Sequence, residues 1–278
     1  MPRPLRTAPG GFVYHVLNRA NGKRRIFEQD RDYLAFERVL AEVQERVPMR
    51  ILAWCVMPNH WHLLLWPRQD GDLSNYMRLV TLTHTQRRHA YRASAGTGHL
   101  YQGRFKSFVV QDDAHFLTVS RYVEANALRG NLVRRAEDWR WGSLWQTQCG
   151  KADQPPRLHP RPVPRPSDWL GYVNQPADSV EVDAIRHCAR RGRPYGEETW
   201  VVDVAHQLGL QSTLHPRGRP AKKGDPDPFS EKRVLTPFRA DPSTSRASFP
   251  AAPWTLPPPA EIPRGGPTGG RHRSPPWS

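Results

Sequence analysis

The sequence predicts an α+β fold: a ferredoxin-like antiparallel sheet in the order β-α-β-β-α-β, followed by one extra helix. Three observations carry this expectation. Four short stretches are rich in β-branched and aromatic residues. The longer segments between them place apolar residues at helical spacing. Pro58-Asn59 separates two of the β-prone stretches by a single turn, which reads as a hairpin.

Residues 12–18 (Phe-Val-Tyr-His-Val-Leu-Asn) are the first β-prone run. A helix is expected to start near Asp30, with Tyr33, Phe36, Leu40, Val43 and Val47 on one face, and Pro48 ends it. Residues 51–57 and 60–66 form the hairpin strands. A second helix is expected over 72–91, with Leu73, Tyr76, Met77 and Val80 inward. Residues 104–110 are the fourth strand. Asp112 is placed to cap a third helix that ends near Gly130 and crosses the other side of the sheet.

These elements define a domain over residues 1–150. Residues 151–177 are rich in Pro and Arg, a composition that makes a stiff, extended linker. Residues 178–220 recover a helical pattern, with short helices expected around 180–190 and 197–208, as a small C-terminal extension. The remainder, 221–278, is expected to be a disordered tail: fifteen of the chain's 29 prolines lie after residue 210.

The formal net charge of +15 points to a polyanionic partner, since each Lys or Arg that meets a phosphate releases a condensed counterion. Three cysteines with no CxxC spacing argue against a disulfide framework or a cysteine zinc site, and fit a reducing cytoplasm. No apolar run approaches the roughly 20 residues that span a bilayer, so neither an anchor nor a signal peptide is expected.

The chemistry begins at His60-Trp61-His62. Side chains alternate along a strand, so the two imidazoles share a face about 7 Å apart while Trp61 points into the opposite layer with Leu63 and Leu65. On the third helix, Phe116, Val119, Ser120, Val123 and Ala127 form the core face. A neighbouring stripe carries His115, Tyr122, Asn126 and Arg129. Two His and an Asn carbonyl make a mixed N/O donor set with open positions, suited to a catalytic Mg²⁺ or Mn²⁺.

His60-Trp61-His62, preceded by Met57-Pro58-Asn59, resembles the His-hydrophobic-His signature of the HUH endonucleases. Residues 121–126 (Arg-Tyr-Val-Glu-Ala-Asn) resemble the nucleophile helix of their single-tyrosine branch, and most closely that of the REP-associated tyrosine transposases. Residues 101–107, 139–143 and 191–194 are similar to that group as well. Where the family follows its helix Asn with Pro-Val-Arg-Ala-Gly, this chain has Ala127-Leu128-Arg129-Gly130-Asn131.

The resemblance implies a metal-dependent endonuclease and strand transferase of bacterial, nucleoid-associated location. Its metal would be held by His60, His62 and Asn126, and its nucleophile would be Tyr122. The partner would be single-stranded or hairpin-forming repeated palindromic DNA. One phosphoester replaces another, so no nucleotide cofactor is needed. Arg78, Arg87 and Arg88 on the second helix, Arg104 and Lys106 at the fourth strand, Arg129, and the Arg191/Arg193 pair are the candidate DNA contacts. Tyr101 is the main rival nucleophile. The competing reading is a catalytically silent DNA- or RNA-hairpin-binding protein derived from such a transposase. Whether the chain works as a monomer or a homodimer stays open.

Overall fold

The computed structural model describes residues 8–94, 96, 98–150 and 155–215. Its elements in chain order are β1 (Val13–Arg19), α1 (Asp30–Arg46), β2 (Arg50–Met57), β3 (His60–Trp66), α2 (Asp72–Tyr91), β4 (Lys106–Val110), α3 (Ala114–Glu124) and α4 (Asn126–Arg129). Then come α5 (Ser143–Gln148), α6 (Trp169–Asn174), α7 (Ser179–Arg191) and α8 (Glu198–Gln207). The four strands form one antiparallel sheet in the spatial order β2-β3-β1-β4.

The alternation of the strands divides the core in two. Tyr14, Val16, Trp54, Val56, Trp61, Leu63, Leu65 and Val109 face one layer, where α1 contributes Phe36, Leu40 and Val43 and α2 contributes Leu73, Tyr76 and Val80. The Tyr76 hydroxyl donates to the Leu40 carbonyl at 3.0 Å and ties the two helices together. Val13, Ala53, Cys55, Leu64, Phe108 and Val110 face the other way, onto Phe116, Val119, Val123 and Ala127 of α3 and α4. The third helix therefore covers the sheet face opposite α1 and α2.

Two local details differ from the sequence expectation. Asp113, not Asp112, caps α3, its carboxylate accepting from the His115 amide at 2.8 Å. The helix also breaks once, at Ala125, before the single turn of α4. That turn ends at Gly130. The Asn131 amide donates to Leu128 O and the Leu132 amide to Ala127 O, both at 3.0 Å, with Asn131 in the left-handed region at φ 54°. This paired closure is a Schellman motif with Asn in place of the usual Gly. It stops the helix without the proline-containing sequence of the family.

Residues 151–177, expected as an extended linker, are instead packed where they are described. The His159 amide donates to Ile51 O at 2.8 Å along the outer edge of β2. Arg161 and Arg165 reach Glu124 at 3.0 and 2.6 Å, and Trp169 Nε1 donates to the same carboxylate at 2.7 Å. A buried acid at the end of α3 thus recruits the arginines that made the segment look like a linker. Further on, Ile185 and Cys188 of α7 join the core under α3, and Tyr195 bridges β4 through bonds to Val109 and Gln111. Both sheet edges are covered by these segments. The expected tail over 221–278 lies outside the described residues.

Candidate active site

The pleat of β3 puts His60 and His62 on the face that α3 covers, with ring centroids 5.1 Å apart. Each has an identifiable partner for its Nδ1. His60 Nδ1 lies 2.6 Å from Asn59 Oδ1, and the Asn59 amide nitrogen donates to Lys23 O, which fixes which end of the amide faces the ring. The His60 Nδ1 therefore carries the hydrogen, and its Nε2 lone pair is free. His62 Nδ1 lies 2.9 Å from Nε2 of His15, a residue of β1 not singled out from the sequence.

Burial first, and then neighbouring charges including Arg129, push these imidazoles down: His60 to about 4, His15 to about 3, and His62 well below its usual value. All three are neutral at neutral pH, the form that offers a lone pair to a cation.

The second wall of the site is the α3–α4 stripe. The Tyr122 ring stands edge-on to His62 and His15, with centroids at 5.7 and 5.9 Å. Arg129, two turns on, lays its guanidinium over the Tyr122 ring, 4.0 Å from the centroid, and donates to Asn126 Oδ1 at 3.0 Å. Asn126 is buried, and its Nδ2 has no hydrogen-bond partner. Within one chain, then, a phenol, a guanidinium, an amide and neutral imidazoles converge. They come from four elements, β1, β3, α3 and α4.

These donors fit a divalent ion. His60 Nε2 is free, and a carbonyl oxygen such as Asn126 Oδ1 has a second lone pair beyond the one Arg129 takes. The orphaned Nδ2 leaves the amide without a second restraint. Among the described residues no group of three or more His, Cys, Asp or Glu is placed to hold a metal.

Residues 10–126 match the family model described as Transposase IS200 like. This stretch is similar to the IS200-like transposases. A REP-associated tyrosine transposase of Escherichia coli (strain K12) is 24% identical over 132 residues, covering 47% of this chain and 74% of that protein. A relative from Haemophilus influenzae is 25% identical over 128 residues, 41% of this chain and 69% of its own length. The solved structure of a REP-associated tyrosine transposase bound to a REP hairpin aligns with a TM-score of 0.44 and 17% identity, over 64% of this chain and 92% of that one.

The surroundings of Tyr101 remove it from contention as nucleophile. Its ring is buried on the opposite side of the sheet, in the α1–α2 core. The Tyr101 hydroxyl accepts from Trp61 Nε1 at 3.1 Å and donates to His84 Nδ1 at 2.6 Å. Burial raises its pKa, the reverse of what an attacking phenolate needs.

The candidate DNA-binding residues scatter. Arg78 and Arg104 line one groove of about 990 Å³ between α2 and the 98–105 loop, with Asn18 and Leu82. Lys106 is exposed at the start of β4. Arg87 and Arg88 turn instead toward α1, paired with Glu42 at 2.6 Å and Glu28 at 3.3 Å. Arg193 pairs with Glu198, and Arg191 donates to the Ser212 and His215 carbonyls. The segment 191–194 is a helix stop: Gly192 takes φ 75° to end α7, and the chain then runs on to the β4 edge. The same Arg-Gly-Arg-Pro sequence recurs at residues 217–220, which lie outside the described residues. No described helix is long and apolar enough to cross a membrane.

Proposed function

We propose that this chain is a metal-dependent single-stranded DNA endonuclease and strand transferase with Tyr122 as its nucleophile. The observation that carries the reading is the position of the Tyr122 ring, 5.7 Å from that of His62 in the same chain and beneath the Arg129 guanidinium. His60, His62 and Asn126 would hold Mg²⁺ or Mn²⁺. When bound, the ion would supply Lewis-acid polarisation of the scissile phosphate.

The chain's own residues do the rest. The Tyr122 oxygen attacks phosphorus, forming the Tyr O–P bond as the P–O3′ bond breaks. The phenol proton passes to solvent, and the departing 3′ oxygen takes one up. The 5′ end stays on the protein as a phosphotyrosine ester. A free phenol has a pKa of about 10, so it attacks slowly until a cation stabilises the phenolate. Arg129, stacked on the ring, is a permanent cation at that position. Attack by a 3′-hydroxyl on the same ester reverses the step and rejoins a strand, with no nucleotide consumed. The REP-associated relatives and the basic composition make hairpin-forming repeated palindromic DNA the substrate class to test.

Incubation with Mn²⁺ and 3′-labelled hairpin DNA is expected to give a labelled protein–DNA band that survives denaturing electrophoresis. Tyr122→Phe is expected to abolish it. DNA binding with no such band under any divalent ion would favour the silent hairpin-binding protein instead.

A further inference from the structure

The geometry points to His15 as a positioning residue of the metal centre: it fixes the tautomer of His62 so that His62 presents its Nε2 to the ion. The inference rests on the metal-site reading above.

His15 sits at the middle of β1, opposite Leu64, with His62 one pleat away on the same face. The two rings lie within 11° of parallel with centroids 5.0 Å apart, and His15 Nε2 is 2.9 Å from His62 Nδ1. Those values describe an edge-to-edge, in-plane N–H···N bond. One ring must donate and the other accept. If His62 donates from Nδ1, its Nε2 keeps a lone pair for a cation. If His15 donates, His62 carries its hydrogen on Nε2 and cannot ligate through it. An ion at the site selects the first arrangement. Ligating histidines are commonly held by just such a bond from the other ring nitrogen.

His15 has no other polar use among the described residues. It is fully buried, its Nδ1 has no hydrogen-bond partner, and its remaining neighbours are the rings of Phe108 and Tyr122. An apolar side chain would fill this place without leaving that nitrogen orphaned, since a half-satisfied buried polar group is a cost to folding. The imidazole therefore serves His62, and stability and metal binding should part company when it is replaced.

The test is Mn²⁺ titration of the full chain, without DNA, by electron paramagnetic resonance, with thermal unfolding measured in parallel. His15→Leu is expected to stay folded, with a midpoint lowered only by the unpaired His62 Nδ1, and to bind Mn²⁺ about 10- to 100-fold more weakly. His15→Gln, whose amide oxygen can accept from His62 Nδ1, is expected to recover most of the affinity. Wild-type affinity in His15→Leu, or no recovery in His15→Gln, overturns the assignment. His60→Ala is the control: if it too binds Mn²⁺ normally, the metal-site reading fails and this inference falls with it. If the Leu variant does not fold, the wild type decides. With saturating Mg²⁺, long-range ¹⁵N–¹H spectra should place the His62 hydrogen on Nδ1, coupled across the bond to His15, and a hydrogen on Nε2 overturns the assignment.

Discussion

At the scale of single residues, two buried side chains give sharp expectations. The Tyr101 hydroxyl is the junction between Trp61, which lies between the two site histidines, and His84 of α2. Tyr101→Phe leaves both partners unpaired in the core, at a cost of about 1–3 kcal/mol. Its effect should appear as a lowered urea midpoint with DNA adduct formation intact; loss of the adduct in a folded variant would reinstate Tyr101 as a nucleophile. Glu37 of α1 is the second. Burial raises its carboxyl to about 7, with Arg140 opposing the shift. A raised acid costs nothing below its ordinary value of 4.5, destabilises the fold increasingly as pH climbs toward 7, and levels off above it. Glu37→Gln should therefore gain stability over wild type by on the order of 3 kcal/mol at pH 8 and by much less at pH 4.5. A gain that does not grow between those pH values, measured by urea unfolding, would contradict the assignment. His15 shows where residue-level reading of a sequence stops. His60 and His62 announce themselves by their spacing, whereas one His in an apolar strand gives no signal until the neighbouring strand is known.

At the scale of elements, the long amphipathic helices and the hairpin are legible because many residues vote for each. The expected 72–91 helix is the observed α2, and β3 has the expected bounds. The six-residue helices α5 and α6 are too short to carry a period and were not anticipated. Composition misleads in 151–177, because proline and arginine describe a solvated linker equally well as a segment pinned by a buried acid. The α4 terminus is the place where the chain departs from the pattern of the group it resembles, and Asn131 explains why the departure is tolerated. Its left-handed backbone, φ 54°, suits Asn and Gly and penalises a residue with an ordinary Cβ by roughly 1–2 kcal/mol. Asn131→Gly should leave stability near wild type, while Asn131→Val should lower it by about that amount. Because the same turn sets the position of Arg129 over Tyr122, the Val variant should also slow adduct formation more than its stability loss explains. Equal stability of the Gly and Val variants in calorimetry would remove the motif from the account.

At the scale of the whole molecule, the sheet and its covering helices are not closed by the residues that the family model matches. The family match ends at residue 126, yet the carboxylate of Glu124, with no side-chain exposure, is met by Arg161, Arg165 and Trp169 from beyond it, and by Ser143 at 2.9 Å. The described residues of 155–215 belong to the same compact unit, residues 1–218, as the sheet. A chain ended at residue 150 would strand that carboxylate in the interior without its cations, a loss of about 3–5 kcal/mol. It would also bare the edges of β2 and β4 and strip Ile185 and Cys188 from the core beneath α3. Against a total stability of about 5–15 kcal/mol, these losses should abolish cooperative folding. A chain ended at residue 218 keeps every one of these contacts. Urea unfolding followed by tryptophan fluorescence should give it a midpoint close to that of the full chain, and should give the 150-residue chain no cooperative transition. If the shorter chain unfolds like the full one, Glu124 is not the anchor of the extension. The extension would then be the separable module that its composition suggests.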